Sequence, residues 1–61
     1  MKNQQQEINY NTHISRLDVA IQRKLAYKLR MAGLFEDDVQ LLMSGKLRDV
    51  QDNIDLYEVL C

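Results

Sequence analysis

The sequence predicts an all-α fold, a small bundle of three helical segments at about 14–32, 35–44 and 47–60 behind a polar N-terminal tail. Three observations carry that expectation. Apolar residues recur at spacings of three and four from Ile14 onward, which is the period of a helix with one packed face. The two glycines, Gly33 and Gly45, each follow such a run at the point where a helix stop belongs. No proline interrupts the pattern.

Residues 1–13 are polar and rich in Gln and Asn, the composition of a flexible tail. Within them Ile8, Tyr10, Thr12 and Ile14 alternate with Asn9, Asn11 and His13, the two-residue period of a short strand at 8–14. No second strand pattern exists in the chain, so such a strand is expected to pair with a copy of itself. In the first helix, Ile14, Leu17, Ile21, Leu25, Leu29 and Ala32 make one apolar stripe. Ser15 or Thr12 supplies the N-cap oxygen, Asp18 sits in the first turn, and Gly33 suits the left-handed residue that ends the helix. Lys24 and Lys28 fall where a heptad seam needs apolar residues, so the stripe is a globular packing face.

The second helix opens on Glu36, Asp37 and Asp38, which the positive end of the helix dipole favours. Val39, Leu42 and Met43 form its inner face, Leu34 and Phe35 cover the turn before it, and Ser44-Gly45 stops it. In the third segment Leu47, Val50, Ile54, Tyr57 and Cys61 recur at three and four, and Asp52 or Asn53 caps a fresh turn that could split it in two.

A chain of 61 residues is one domain, here 14–61, and a chain that short buries only about 60% of its unfolded surface. Small folds make up the deficit with disulfides, a metal or a partner. Cys61 is the single cysteine, which excludes a disulfide within the chain. His13 and Cys61 are the only soft ligands and lie far apart in sequence, so neither a metal site nor a cofactor is expected. Association is the remedy left, and a homo-oligomer, most simply a homodimer, is expected. No apolar run approaches the roughly 20 residues of a membrane span, no secretory apolar core opens the chain, and the lone thiol suits a reducing, cytoplasmic setting.

The charge reverses across Gly33. Residues 1–33 carry six Lys and Arg against two Asp and Glu, a balance of +4, while residues 34–61 carry two against seven, a balance of −5. Three arrangements account for this. The acidic helices fold beside the basic one and neutralise it, or the basic half of one subunit meets the acidic half of another, or the basic face meets an acidic partner protein or a polyanion. Arg16, Arg23 and Arg30 are seven apart and stack along one side of the first helix, away from the leucine stripe. Lys24 and Lys28 flank that stripe near Tyr27 and Met31, which suit equally the edge of the core or, with Arg16, Arg23, Lys24 and Arg30, a basic, leucine-flanked docking face. That face is the candidate partner-binding surface. Leu17, Ile21, Leu25, Leu29, Val39 and Leu42 are the candidates for core or self-association.

Catalysis finds no support, since His13 and Cys61 have no sequence-fixed base, acid or nucleophile beside them. The Glu36-Asp37-Asp38 cluster lacks the alternating, glycine-turned pattern of a calcium loop. The expected function is a non-catalytic protein–protein interaction module, an inhibitor, adaptor or regulator, docking an acidic partner through the basic face of its first helix. The alternative rests on Glu7 to Ser44, where alternating residues, a basic helix, a glycine turn and a second helix stand in order. That order resembles the ribbon-helix-helix repressors, which dimerise by pairing one strand from each subunit. The resemblance implies a dimeric DNA-binding transcriptional regulator with Asn9, Asn11 and His13 reading base edges in the major groove.

Overall fold

The computed structural model describes residues 7–60. Expectations for residues 1–6 and for Cys61 lie outside them. The fold is all-α, and the described residues form three α-helices, α1 (Val19–Met31), α2 (Glu36–Met43) and α3 (Leu56–Leu60), and two single 3-10 turns, Ile14–Arg16 and Leu47–Asp49. α1 packs on both α2 and α3.

One core holds these pieces together. Ile14, Leu25, Leu29, Val39, Leu47, Val50, Leu56 and Val59 are buried, so every helix and both 3-10 turns contribute. No polar or charged residue is buried among the described residues. Leu17, Ile21, Ala26, Leu34, Leu42, Met43, Ile54 and Leu60 pack around the core half-buried. The leucine stripe of α1 is thus covered by the chain's own short elements.

α1 begins later than the sequence suggests. Asp18, with φ −55° and ψ 145°, is its N-cap residue, and neither Ser15 nor Thr12 caps it. Ile14–Arg16 is instead a separate turn, closed by Leu17 in extended conformation at ψ 161°. The reason lies across the fold, where the Ile14 N–H donates to the Gly45 carbonyl at 3.0 Å. That bond anchors Ile14 in the core and forces the chain to turn again before it can wind into α1. The Gln22 amide bridges the joint, donating to the Leu17 carbonyl at 2.8 Å and to the Ser15 carbonyl at 3.3 Å.

The C-terminus of α1 follows expectation. Gly33 has φ +97°. Its N–H donates to the Arg30 carbonyl at 3.0 Å and the Leu34 N–H to the Leu29 carbonyl at 3.3 Å, the paired bonds of a Schellman stop. Gly45 has a different reason to be glycine. A Cβ there would come within 2.5 Å of Asp49 Oδ2, and that carboxylate accepts from the Lys46 N–H at 2.8 Å to cap the second 3-10 turn.

Two sequence expectations need correction. No strand forms at 8–14, nor anywhere among the described residues; His13 makes one isolated bridge to Lys46. A turn intervenes, with the Asn11 N–H on Asn9 Oδ1 and the Thr12 N–H on the Asn9 carbonyl, both at 3.0 Å. The alternation itself is real: Ile8, Tyr10, Thr12 and Ile14 are half-buried or buried, while Asn9, Asn11 and His13 are exposed. Within the chain it lies against residues 45–48. The Leu47 N–H donates to the Thr12 carbonyl at 3.1 Å and the Arg48 N–H to the Tyr10 carbonyl at 2.9 Å.

The third segment, expected at 47–60, is interrupted. After Leu47–Asp49 the chain turns through 50–54 and α3 restarts under Asp55, whose Oδ1 accepts from the Tyr57 N–H at 3.0 Å; Asp52 and Asn53 play no such part. The break shifts the helical phase, so Leu56 and Val59 are buried and Tyr57 is 48% exposed.

Two outcomes follow for stability. Ile14→Ala is expected to destabilise by about 2–5 kcal/mol, as much as Leu25→Ala, measured by chemical denaturation; a loss typical of a surface residue would remove Ile14 from the core. Gly33→Ala is expected to cost about 1–2 kcal/mol, and Gly33→Asn less, because Asn tolerates the left-handed region.

Candidate functional site

The outer face of α1 gathers residue types that suit recognition. Leu25 and Leu29 turn the helix inward, which sends Arg23, Lys24, Tyr27, Arg30 and Met31 outward. Tyr27 is 58% and Met31 68% exposed, with Arg23 and Lys24 one turn before Tyr27 on either side of it. An aromatic ring and a thioether set among cations are residue types enriched at interfaces.

The structure divides the cations of α1 into two groups. Lys28 and Arg30, near its C-terminal end, are paired within the chain. Arg30 Nε and Nη2 each reach Glu36 at 2.7 Å, a two-pronged contact across the Gly33 turn. Lys28 Nζ lies 3.3 Å from Glu58 Oε1, tying α1 to α3. Both pairs are exposed, so each adds little to stability and serves to orient the helices. Arg23 and Lys24 form no ion pair among the described residues. Part of the charge reversal is therefore neutralised inside the molecule, and part is not.

Arg16 is exposed but belongs to the turn before α1. The expected row of Arg16, Arg23 and Arg30 is thereby broken: Leu17 is extended, so seven-residue spacing no longer stacks Arg16 on the helix, and Arg30 is engaged by Glu36. The patch that remains is Arg23, Lys24, Tyr27 and Met31. Of the residues assigned to core or self-association, Leu25, Leu29 and Val39 are buried, and Leu17, Ile21 and Leu42 line the core's edge.

The side chains expected to read DNA are exposed but not presented on a ribbon. Asn9 holds a turn through its Oδ1, and the carbonyls of Tyr10 and Thr12 and the N–H of Ile14 are bonded to 45–48. A strand from another subunit would find those groups occupied.

Several surface residues escaped the sequence reading. Phe35 does not cover the turn before α2; it is 80% exposed, while Leu34 is half-buried. Leu41 is 71% exposed on the outside of α2. Its position two residues after buried Val39 was the available signal, since two residues of helix lead to the opposite side.

Other chemistry is sparse. No group of three or more His, Cys, Asp or Glu side chains converges among the described residues. An open cleft of about 140 Å³ between Tyr10, Ile54 and Tyr57 is well under the roughly 300–1,000 Å³ of small-molecule pockets. No helix among the described residues is long and apolar enough to cross a membrane.

The Glu36 carboxyl is held at about 2 against an ordinary 4.5, chiefly by the hydrogen bonds from Arg30 and then Gln40. Because the folded value lies below the unfolded one, this contribution to stability is present above 4.5 and is lost as pH falls toward 2. A carboxyl titration by NMR is expected to give that low midpoint for Glu36, returning toward the ordinary range in Arg30→Ala. Because the pair is exposed to solvent, the accompanying stability change is small and reduced by salt.

Comparison of the chain with protein-family models, with curated proteins and with solved structures finds no match in any of the three.

Proposed function

We propose that this protein is a non-catalytic interaction module that docks an acidic protein surface through the outer face of α1. One observation carries the reading: Tyr27 and Met31 stand 58% and 68% exposed beside Arg23 and Lys24, two cations without an ion pair among the described residues. Burying the ring and the thioether supplies affinity, while the cations set register and speed the encounter. Docking with no chemistry of its own is how an inhibitor, an adaptor or a regulator acts. The setting we propose is the cytoplasm, in keeping with a single cysteine.

The test is retrieval of a partner from cell extract with the intact chain, compared with a variant carrying Arg23→Glu and Lys24→Glu. The complex is expected to weaken with salt, to be lost in the double variant, and to leave the circular dichroism of the chain unchanged. Tyr27→Ala alone is expected to lower affinity about tenfold or more, the usual consequence of truncating an anchoring aromatic. Retention of the partner by both variants would refute the assignment to this face. A duplex-DNA arm completes the comparison, because DNA binding abolished by Asn11→Ala would move the function to the turn at 9–12.

A further inference from the structure

The outer faces of α1 and α2 carry the same pattern with opposite charge. In α1 the buried residue is Leu25, preceded by Arg23 and Lys24 and followed two positions later by exposed Tyr27. In α2 the buried residue is Val39, preceded by Asp37 and Asp38 and followed two positions later by exposed Leu41. At roughly 100° per residue, these three outer positions fall about 160°, 260° and 200° round the axis from the buried one. Each helix therefore presents a hydrophobic side chain on the side away from the core, with two like charges one turn before it and flanking it.

We infer that the acidic surface met by α1 is the outer face of α2 on a second copy of this chain, with Arg23 and Lys24 against Asp37 and Asp38 and Tyr27 against Leu41. The inference rests on the reading of α1 given above and names its partner. Charge decides the occupant. The acids that could neutralise α1 from within are already placed, Glu36 on Arg30 and Glu58 on Lys28. Asp37 and Asp38 form no ion pair among the described residues, and neither do Arg23 and Lys24. Within one chain the two sets make no ion pair, and Arg23, Tyr27, Asp37 and Leu41 lie on the sides of their helices away from the shared core. Between chains they match position for position when the helices run parallel, since charges then meet charges and Tyr27 meets Leu41. Antiparallel helices would set each charge pair against the other helix's hydrophobic residue. The two patches are different surfaces, so the contact is heterologous and copies add head to tail.

The geometry sets up a complementation experiment with exposed residues, so the fold is spared. Tyr27→Ser removes the basic patch's anchor and Leu41→Ser the acidic patch's. By sedimentation velocity the unaltered chain is expected to gain mass with concentration past two copies, and to lose that gain in high salt. Each variant alone is expected to remain a single subunit. An equimolar mixture of the two is expected to recover pairs and nothing larger, because one intact basic patch and one intact acidic patch remain between them. Overturning results are an unaltered chain that stays a single subunit, a variant that associates as the unaltered chain does, or a mixture that recovers nothing. The failures are distinguishable from failure of the α1 reading. If self-association is absent but Arg23→Glu with Lys24→Glu still abolishes capture of another protein, only the identity of the partner is wrong. If that double variant changes neither, α1 is not a docking face at all.

Discussion

The bond from the Ile14 N–H to the Gly45 carbonyl is the constraint on which the rest of this fold depends. It ties the segment before α1 to the loop after α2, two stretches some thirty residues apart in sequence. With Ile14 fixed in the core, residues 10–14 lie against 45–48 and take up the N–H groups of Leu47 and Arg48. Leu47 is thereby set in the core, and the turn that Asp49 caps directs the chain on to Val50 and α3. Helices of eight and five residues are too short to persist alone in water. They hold their shape because this closure gives each an apolar neighbour.

A core of eight buried side chains among the described residues, with no disulfide within the chain, leaves little margin. Among the described residues no polar or charged residue enters it, so no buried charged side chain weakens the balance. The charges are left for the surface, where Arg30–Glu36 and Lys28–Glu58 orient α1 relative to α2 and α3. Those two pairs also determine what remains available. They occupy the cations toward the C-terminal end of α1 and the first acid of α2, and leave Arg23 and Lys24 on one outer face and Asp37 and Asp38 on another. On the side away from the core α1 exposes Tyr27 and Met31, and α2 exposes Leu41.

The predicted helix class, the inward stripe of α1, the stop at Gly33 and the alternation of 8–14 were legible in the residues. Each reflects geometry local to the chain. Helical period sends Leu25 and Leu29 to one side whatever packs there, and a left-handed residue after a helix favours glycine in any fold. The outward direction of Tyr27 and Met31 follows from the same period. Other features rest on contacts that leave no periodic trace. The start of α1 moved from Ile14 to Val19 because Ile14 answers to Gly45, and the Arg16–Arg23–Arg30 row broke with it. The phase slip at 50–54 exchanged Tyr57 for Leu56 and Val59 inside. Which cations are neutralised, and which are left over, depends on α2 and α3 arriving beside α1. Folding back is a property of pairs of segments far apart in sequence, and spacing along one segment carries no record of it.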